Sequence, residues 1–307
     1  MEPPETTTYS QAAARAPIFA VGGLVASLRP QQWVKNGFVF AALIFSRSIT
    51  DWHRNAHAAA GALLFCLISS AIYLLNDILD APEDRKHPLK RLRPLASGRL
   101  GVGTASLAAM ILALISLGGA WILDHTFFII VAAYGLINLL YSWTLKRVVL
   151  LDVFVISAGF VMRVISGGVI IHVEISPWLV VCATLLALFL ALSKRRHELV
   201  VLGKDAGNHR SILAHYSPYF LDQLIGIVTA STVMSYALYT LSSDVQMKFP
   251  GKRLELTIPF VLFGIFRYLY LVHQNEGGNP TRLLFTDLVL LSVVLFWAAS
   301  VIFIIYL

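Results

Sequence analysis

Charge is scarce in this chain: Asp, Glu, Lys and Arg together make up 13% of its 307 residues. Soluble domains carry about a quarter, and with 57% hydrophobic residues and a mean hydropathy of +0.73 the composition excludes an ordinary soluble fold. Cysteine is nearly absent. Cys66 and Cys182 both sit inside apolar runs without metal-ligand spacing, which excludes a disulfide framework and a thiolate metal site. No basic n-region with a short apolar core and a small-residue cleavage site opens the sequence, so no secretory signal peptide is expected. A basic soluble domain is missing too. The net charge of +7 is distributed over short segments between apolar runs, which argues against nucleic acid as a partner and for anionic membrane lipids and phosphates.

What is abundant is apolar sequence, in nine runs at about 35–49, 57–76, 102–123, 126–143, 148–171, 175–193, 219–241, 254–272 and 284–306. None alternates with period two, and only helices or closed barrels satisfy the backbone in lipid. The expected fold class is therefore all-α: a polytopic membrane protein with nine transmembrane helices. The first run is short for a bilayer needing about 20 residues, so it starts earlier or tilts. Residues 1–16, with Pro3, Pro4 and a Thr run but no periodicity, read as a disordered tail before a single membrane domain at 17–307.

The basic residues order these runs. Counted over alternate connections, 17 Lys and Arg fall on the side of the N-terminus and the even-numbered loops, and five on the other. The positive-inside rule then places the N-terminus in the cytoplasm and the C-terminus outside, in a bacterial-type plasma membrane.

The stretch richest in chemistry is 76–99, at the cytoplasmic end of the second run. Asn76, Asp77, Asp80 and Asp84 fall within about 100° of one helix face, so their oxygens could converge on one cation. Pro82 removes an amide, and the helix is expected to kink or end near it. Lys90, Arg91 and Arg93 follow directly. Hard oxygen donors beside cations are what Mg²⁺ and a substrate phosphate require, although a solvated loop obeying the positive-inside rule has the same cations.

Other clusters share that side. Trp33 and Lys35 form either a headgroup anchor or a phosphate contact. Tyr141 and Lys146 close the fourth run as an aromatic belt or a site. Lys194, Arg195, Arg196 and Glu198 follow the sixth as a diphosphate counter-charge or a stop-transfer flank. Tyr73, one turn before Asp77, either lines a cavity or packs. Within the runs, Asp152 and Arg163 share a helix face, Arg267, Asp222 and Asp287 are expected to pair between helices or sit near helix ends, and Gly167-Gly168 is expected to let helices approach closely.

Taken together these residues resemble the UbiA superfamily of intramembrane transferases. The resemblance runs from Arg29-Pro30, Gln32-Trp33 and Lys35-Asn36 to the ninth run. Its most specific part is Asn-Asp-x-x-Asp-x-x-x-Asp at 76–84, with His87-Pro88, Lys90, Arg93-Pro94, Gly98, Tyr141-Ser142 and Lys146. Prenyltransferases of the superfamily carry a second aspartate-rich motif after the sixth helix. Here that place reads Ser193-Lys194-Arg195-Arg196-His197-Glu198, which is similar instead to the decaprenyl-phosphate phosphoribosyltransferase branch.

The resemblance implies a helical bundle with a cytoplasm-facing cavity and a Mg²⁺-dependent pentosyl transfer. The donor would be 5-phosphoribose 1-diphosphate and the acceptor a polyprenyl monophosphate, in cell-envelope arabinan precursor synthesis. It makes Asn76 and Asp80 metal ligands, with Asp77 and Asp84 in or near the shell as catalytic carboxylates. Lys90, Arg91, Lys146, Lys194 and Arg195 would take phosphate oxygens, Lys35, Tyr73 and Tyr141 would complete the pocket, and Glu198 would orient a cation or bond a ribose hydroxyl. An aromatic prenyltransferase using a polyprenyl diphosphate is the alternative, and a transporter the reading from another class. A homo-oligomer is left open.

Overall fold

The computed structural model describes residues 17–86, 90–203, 207, 211–274 and 280–307. The tail expected at 1–16 and His87-Pro88 of the motif lie outside these residues. Among those described the chain is entirely helical, and eight helices are long and apolar enough to cross a membrane.

These are α3 (Trp52–Asp84), α4 (Val102–Leu123), α5 (His125–Trp143), α6 (Leu151–Ile170), α7 (Pro177–Leu202), α8 (Pro218–Leu241), α10 (Ile258–His273, entered through a 3-10 turn from Leu254) and α12 (Leu288–Tyr306). Short helices fill in the rest: α1 (Pro17–Leu28), α2 (Ala41–Phe45), α9 (Ser243–Lys248) and α11 (Pro280–Thr286). Tight turns are stopped by side-chain caps. Asp124 accepts from Phe127 N, Ser217 from Phe220 N and Asp287 from Leu290 N, each satisfying an amide that the first helical turn leaves without a partner.

The first expected span is the one the structure corrects. Residues 35–49 do not form an α-helix of bilayer length. Instead Pro30–Phe40 is a 3-10 helix, followed by the single turn and a half of α2. Its partners step back along α3: Arg29 bonds Asp77, Trp33 Nε1 reaches Ser70 Oγ at 3.0 Å, Asn36 Nδ2 reaches Cys66 Sγ at 3.1 Å, and Ile49 O accepts from Asn55. The segment thus lies antiparallel to α3 from Asp77 back to Asn55, about 33 Å of helix at 1.5 Å per residue. A 3-10 helix rises about 2 Å per residue, so fewer residues cover that distance than an α-helix would need.

This backbone is tolerated because protein covers it. A methyl group at Gly167 of α6 would lie 2.0 Å from the Val39 carbonyl oxygen, so only glycine lets the 3-10 segment pack there. The close approach expected of Gly167 is therefore made to the 3-10 segment. α3 is the central element, with 61% of its apolar window buried against 17% for α4 and for α12, which turn their side chains to lipid. One core joins α2, α3, α5 and α6, and a second joins α6, α7, α8, α10 and the start of α12. Tyr306 at the end of α12 closes the ring. Its Oη donates to Leu43 O and accepts from Ile49 N, each at 3.1 Å.

Candidate active site

The expected carboxylate cluster stands on the last two turns of α3. The helix runs through Pro82 to Asp84, and Arg85 N bonding Ala81 O at 3.2 Å closes its end. The carboxylates do not meet on one centre. Buried Asp77 accepts from Arg29 and, at 3.2 Å, from Arg93 Nη1, while the same Nη1 reaches buried Asp84 Oδ2 at 2.7 Å. Asp80 turns elsewhere and accepts from Lys146 Nζ at 3.1 Å.

Arg29 occupies an unusual position. It joins α1 to the 3-10 helix in the left-handed region, at φ 55°, a conformation that costs a side-chain-bearing residue roughly 1–2 kcal/mol. Its guanidinium lies over the Tyr73 ring, 4.9 Å from the centroid, and bonds Asp77. Those two contacts offset the backbone strain. Arg29 and Arg93 as partners of Asp77 and Asp84 were not foreseen from the sequence, where both read as topological charge or motif. The available signal was the number of cations flanking the acidic face.

Asn76 is the residue that bears on a metal. Its Oδ1 is buried with no hydrogen-bond partner among the described residues, one helical turn from Asp80, which is about one-third exposed. No group of three or more His, Cys, Asp or Glu able to hold a metal occurs among the described residues. Mg²⁺, however, is commonly held by one or two protein oxygens and completes its octahedron with water and phosphate. An orphaned amide oxygen beside a carboxylate fits that requirement.

The other predicted residues come to the same end of the bundle. Lys146 and Arg147 occupy a 3-10 turn, Leu145–Arg147, that follows the end of α5 at Trp143, so Tyr141 stands in the last turn of the helix before it. Tyr141 Oη accepts from Arg195 Nη2 at 3.4 Å. Lys90 and exposed Arg91 lie on the 3-10 turn Lys90–Leu92. Lys194, on α7, is the most open of the α7 cations and stands 3.8 Å from Glu198 Oε1. Lys35 is half-buried on the 3-10 helix and feels the charges of Lys194, Arg163 and Arg29.

Arg195 is placed differently from a free phosphate ligand. It is 1% exposed, with Nε 2.7 Å from Asp152 Oδ2 and Nη1 2.7 Å from Glu198 Oε2. Asp152 therefore pairs with Arg195 rather than with its helix neighbour Arg163. Tyr216 completes the group by donating from Oη to Asp152 Oδ1 at 2.8 Å, and burial pushes its phenol up to about 12 so that the proton stays. The pairs expected elsewhere are present: Arg267 with Asp287 at 2.7 Å, and Arg196 with Asp222. What this arrangement offers is two oxygen donors on α3 faced by cations from the 3-10 segment, α5 and α7. It suits binding and polarising a phosphate leaving group.

Comparison with known proteins identifies the family to which this bundle belongs. The model of the UbiA prenyltransferase family matches residues 37–289. The chain is 30% identical over 310 residues to the decaprenyl-phosphate phosphoribosyltransferase of Corynebacterium glutamicum, covering 99% of this chain and 93% of that one. It is 31% identical over 312 residues to the protein of the same name from Mycolicibacterium smegmatis, covering 98% of each. A UbiA homolog from Archaeoglobus fulgidus, solved bound to GPP and Mg²⁺, superposes with a TM-score of 0.70 at 20% identity, covering 93% of this chain and all of that one. With eight apolar helices and a family match over most of its length, this chain is an integral membrane protein belonging to the UbiA prenyltransferase family.

Proposed function

We propose that this protein transfers 5-phosphoribose from 5-phosphoribose 1-diphosphate to a polyprenyl monophosphate and releases diphosphate. The observation that carries the reading is the composition of α7 facing the aspartate end. Lys194 and Glu198 stand there with Arg195 neutralised behind them by Asp152. A donor ionised through two metal sets would need further carboxylates at that place. A sugar diphosphate bound through one set of oxygens and several cations does not.

In the reaction an oxygen of the acceptor phosphate forms a bond to ribose C1 as the bond from C1 to the diphosphate oxygen breaks, and the electron pair leaves with diphosphate. The attacking oxygen is already anionic, so no general base is needed. Asn76 Oδ1 and Asp80 are the residues that would hold Mg²⁺, which supplies Lewis-acid stabilisation of the leaving diphosphate. Lys146 is held against Asp80, ready to take a phosphate oxygen, and Lys90 lies on the adjoining turn. Arg93 and Arg29 hold Asp77 and Asp84 so that the end of α3 keeps its shape. Glu198 keeps Lys194 directed into the cavity.

The cation-rich end of the bundle belongs in the cytoplasm, with the N-terminus on the same side and the C-terminus outside, because the soluble donor is made there while the lipid acceptor enters from the bilayer.

The test is a transfer assay in detergent with Mg²⁺. One tube holds labelled phosphoribosyl diphosphate and polyprenyl phosphate, and the other polyprenyl diphosphate and 4-hydroxybenzoate. A lipid-extractable ribosyl product that EDTA abolishes is expected in the first tube alone. Product in the second tube alone would replace the reading with aromatic prenyl transfer. Within the same assay, Lys194→Ala is expected to raise the donor KM about 10-fold with a smaller change in kcat, as loss of one charge-assisted phosphate contact would.

A further inference from the structure

α8 and α10 part along an apolar groove of about 690 Å³ that shares no residue with the carboxylate cluster of α3. Its depth comes from Gly226 and Ala230 on α8, whose small side chains leave space beside Leu262 and Phe266 of α10. Met234 and Phe266, both more than half exposed, border it toward the outside of the bundle. At membrane depth an apolar space of this size takes up hydrocarbon rather than water. Which molecule supplies the hydrocarbon is decided by the polar end of the groove.

That end is built on Asp222, in the second turn of α8, and His273, the last residue of α10. Asp222 bonds Arg196 of α7, and His273 Nε2 stands 3.8 Å from Asp222 Oδ1. The other ring nitrogen, Nδ1, lies 2.9 Å from Leu269 O. A carbonyl only accepts, so Nδ1 carries the proton, and in the neutral ring Nε2 turns a lone pair toward the carboxylate. Two acceptors then face each other across a gap that a donor would close, and both side chains are open, 49% and 40% exposed. Thr229 lines the groove seven residues after Asp222, about 10 Å deeper on the same face of α8. Its hydroxyl makes no bond among the described residues, whereas that of Thr232 returns to Val228 O at 2.7 Å.

We propose that this groove binds a phospholipid with a primary-amine headgroup, its ammonium bridging Asp222 and His273 and an acyl chain lying against Ala230 and Phe266. Charge selects the class. Asp222 and Arg196 cancel, so a zwitterion is accepted, while a headgroup of net negative charge meets a carboxylate. Hydrogen bonding narrows it further: a primary ammonium has three N–H groups and gives one to Asp222 and one to Nε2, and a quaternary ammonium has none. An extended phosphoethanolamine covers the distance from Asp222 to Thr229, which brings a glycerol ester to the level of the free hydroxyl. A polyprenyl monophosphate, anionic at its head, does not match this end.

The test is native mass spectrometry of the full chain, stripped of lipid in detergent, with dioleoyl phosphatidylethanolamine, phosphatidylcholine and phosphatidylglycerol as separate probes. Phosphatidylethanolamine is expected to bind about 10-fold more tightly than phosphatidylcholine, the effect of a charge-assisted bond. Asp222→Asn and His273→Phe should each bring it down to the level of phosphatidylcholine and leave the latter unchanged. Ala230→Trp, which fills the groove, should abolish the preferred site. Equal binding of the two zwitterions by the parent, or a preference that survives both headgroup variants, overturns the proposal. Tightest binding of phosphatidylglycerol overturns it as well, because Arg196 would then be reading an anion. A mass of two chains that Ala230→Trp returns to one, with no lipid retained, would mean that a second copy fills the groove and the proposal is wrong. Should Asp222→Asn fail to fold, His273→Phe decides, since that ring is half-exposed and its Nδ1 bond stays within its own helix.

Discussion

Asp80→Ala is expected to lower turnover about 10³-fold or more while the protein remains membrane-inserted and folded. Polarisation of a leaving diphosphate is an effect of several kcal/mol on the barrier, and each 1.36 kcal/mol is tenfold in rate. The folding cost is small by comparison. Asp80 is about one-third exposed and its partner Lys146 about one-quarter, and such a pair contributes at most about 1 kcal/mol. Asp77→Ala makes the informative contrast. Asp77 is 3% exposed between two arginines, and its removal leaves both cations without that partner, so its loss of activity should arrive together with a lower unfolding temperature. Turnover assays and thermal unfolding on the same detergent preparations separate the two. Activity retained in Asp80→Ala would remove the metal assignment.

How much of this was legible in the sequence depended on which force shaped each part. The long helices were legible because lipid leaves the backbone no alternative: 102–123 is α4 to the residue, and the run at 219–241 begins one residue late. α3 was read too short at both ends, because its last turns are polar and carry no apolar signal. The 3-10 segment was not legible at all. Trp33, Lys35 and Asn36 break the apolar pattern, and what makes the tight backbone tolerable is a glycine on α6, more than a hundred residues away. Spacing put the aspartates on one helix face, and the structure divides them between two sets of cations, Asp77 and Asp84 on Arg29 and Arg93 and Asp80 on Lys146. Which carboxylate takes which cation was beyond the sequence. That choice is made by tertiary packing, and it sends Arg195 inward to Asp152 while Lys194, one residue before it, stays exposed beside Glu198.

That inward turn carries the largest stability effect in the molecule. Asp152 is fully buried and Arg195 is 1% exposed, and both remaining directions of the pair are satisfied, by Tyr216 on the carboxylate and Glu198 on the guanidinium. Removing one member of such a pair leaves a charge that water cannot reach, at a cost of about 3–5 kcal/mol. Asp152→Asn should therefore lower the thermal unfolding midpoint by several degrees. Asp222→Asn, whose carboxylate is 40% exposed against Arg196, should shift it hardly at all. The double variant Asp152→Asn with Arg195→Met should recover part of the loss, because it removes the stranded charge as well as the bond. Activity then separates scaffold from ligand. If Arg195 acts only by holding Glu198 and α7, the double variant loses donor affinity through a displaced Lys194 but stays saturable. If Arg195 itself touched phosphate, restoring stability would leave kcat as low as in the single Arg195 variant. A midpoint for Asp152→Asn equal to that of the parent would mean that the pair does not hold α6 to α7, and the account of how Lys194 is aimed would fail with it.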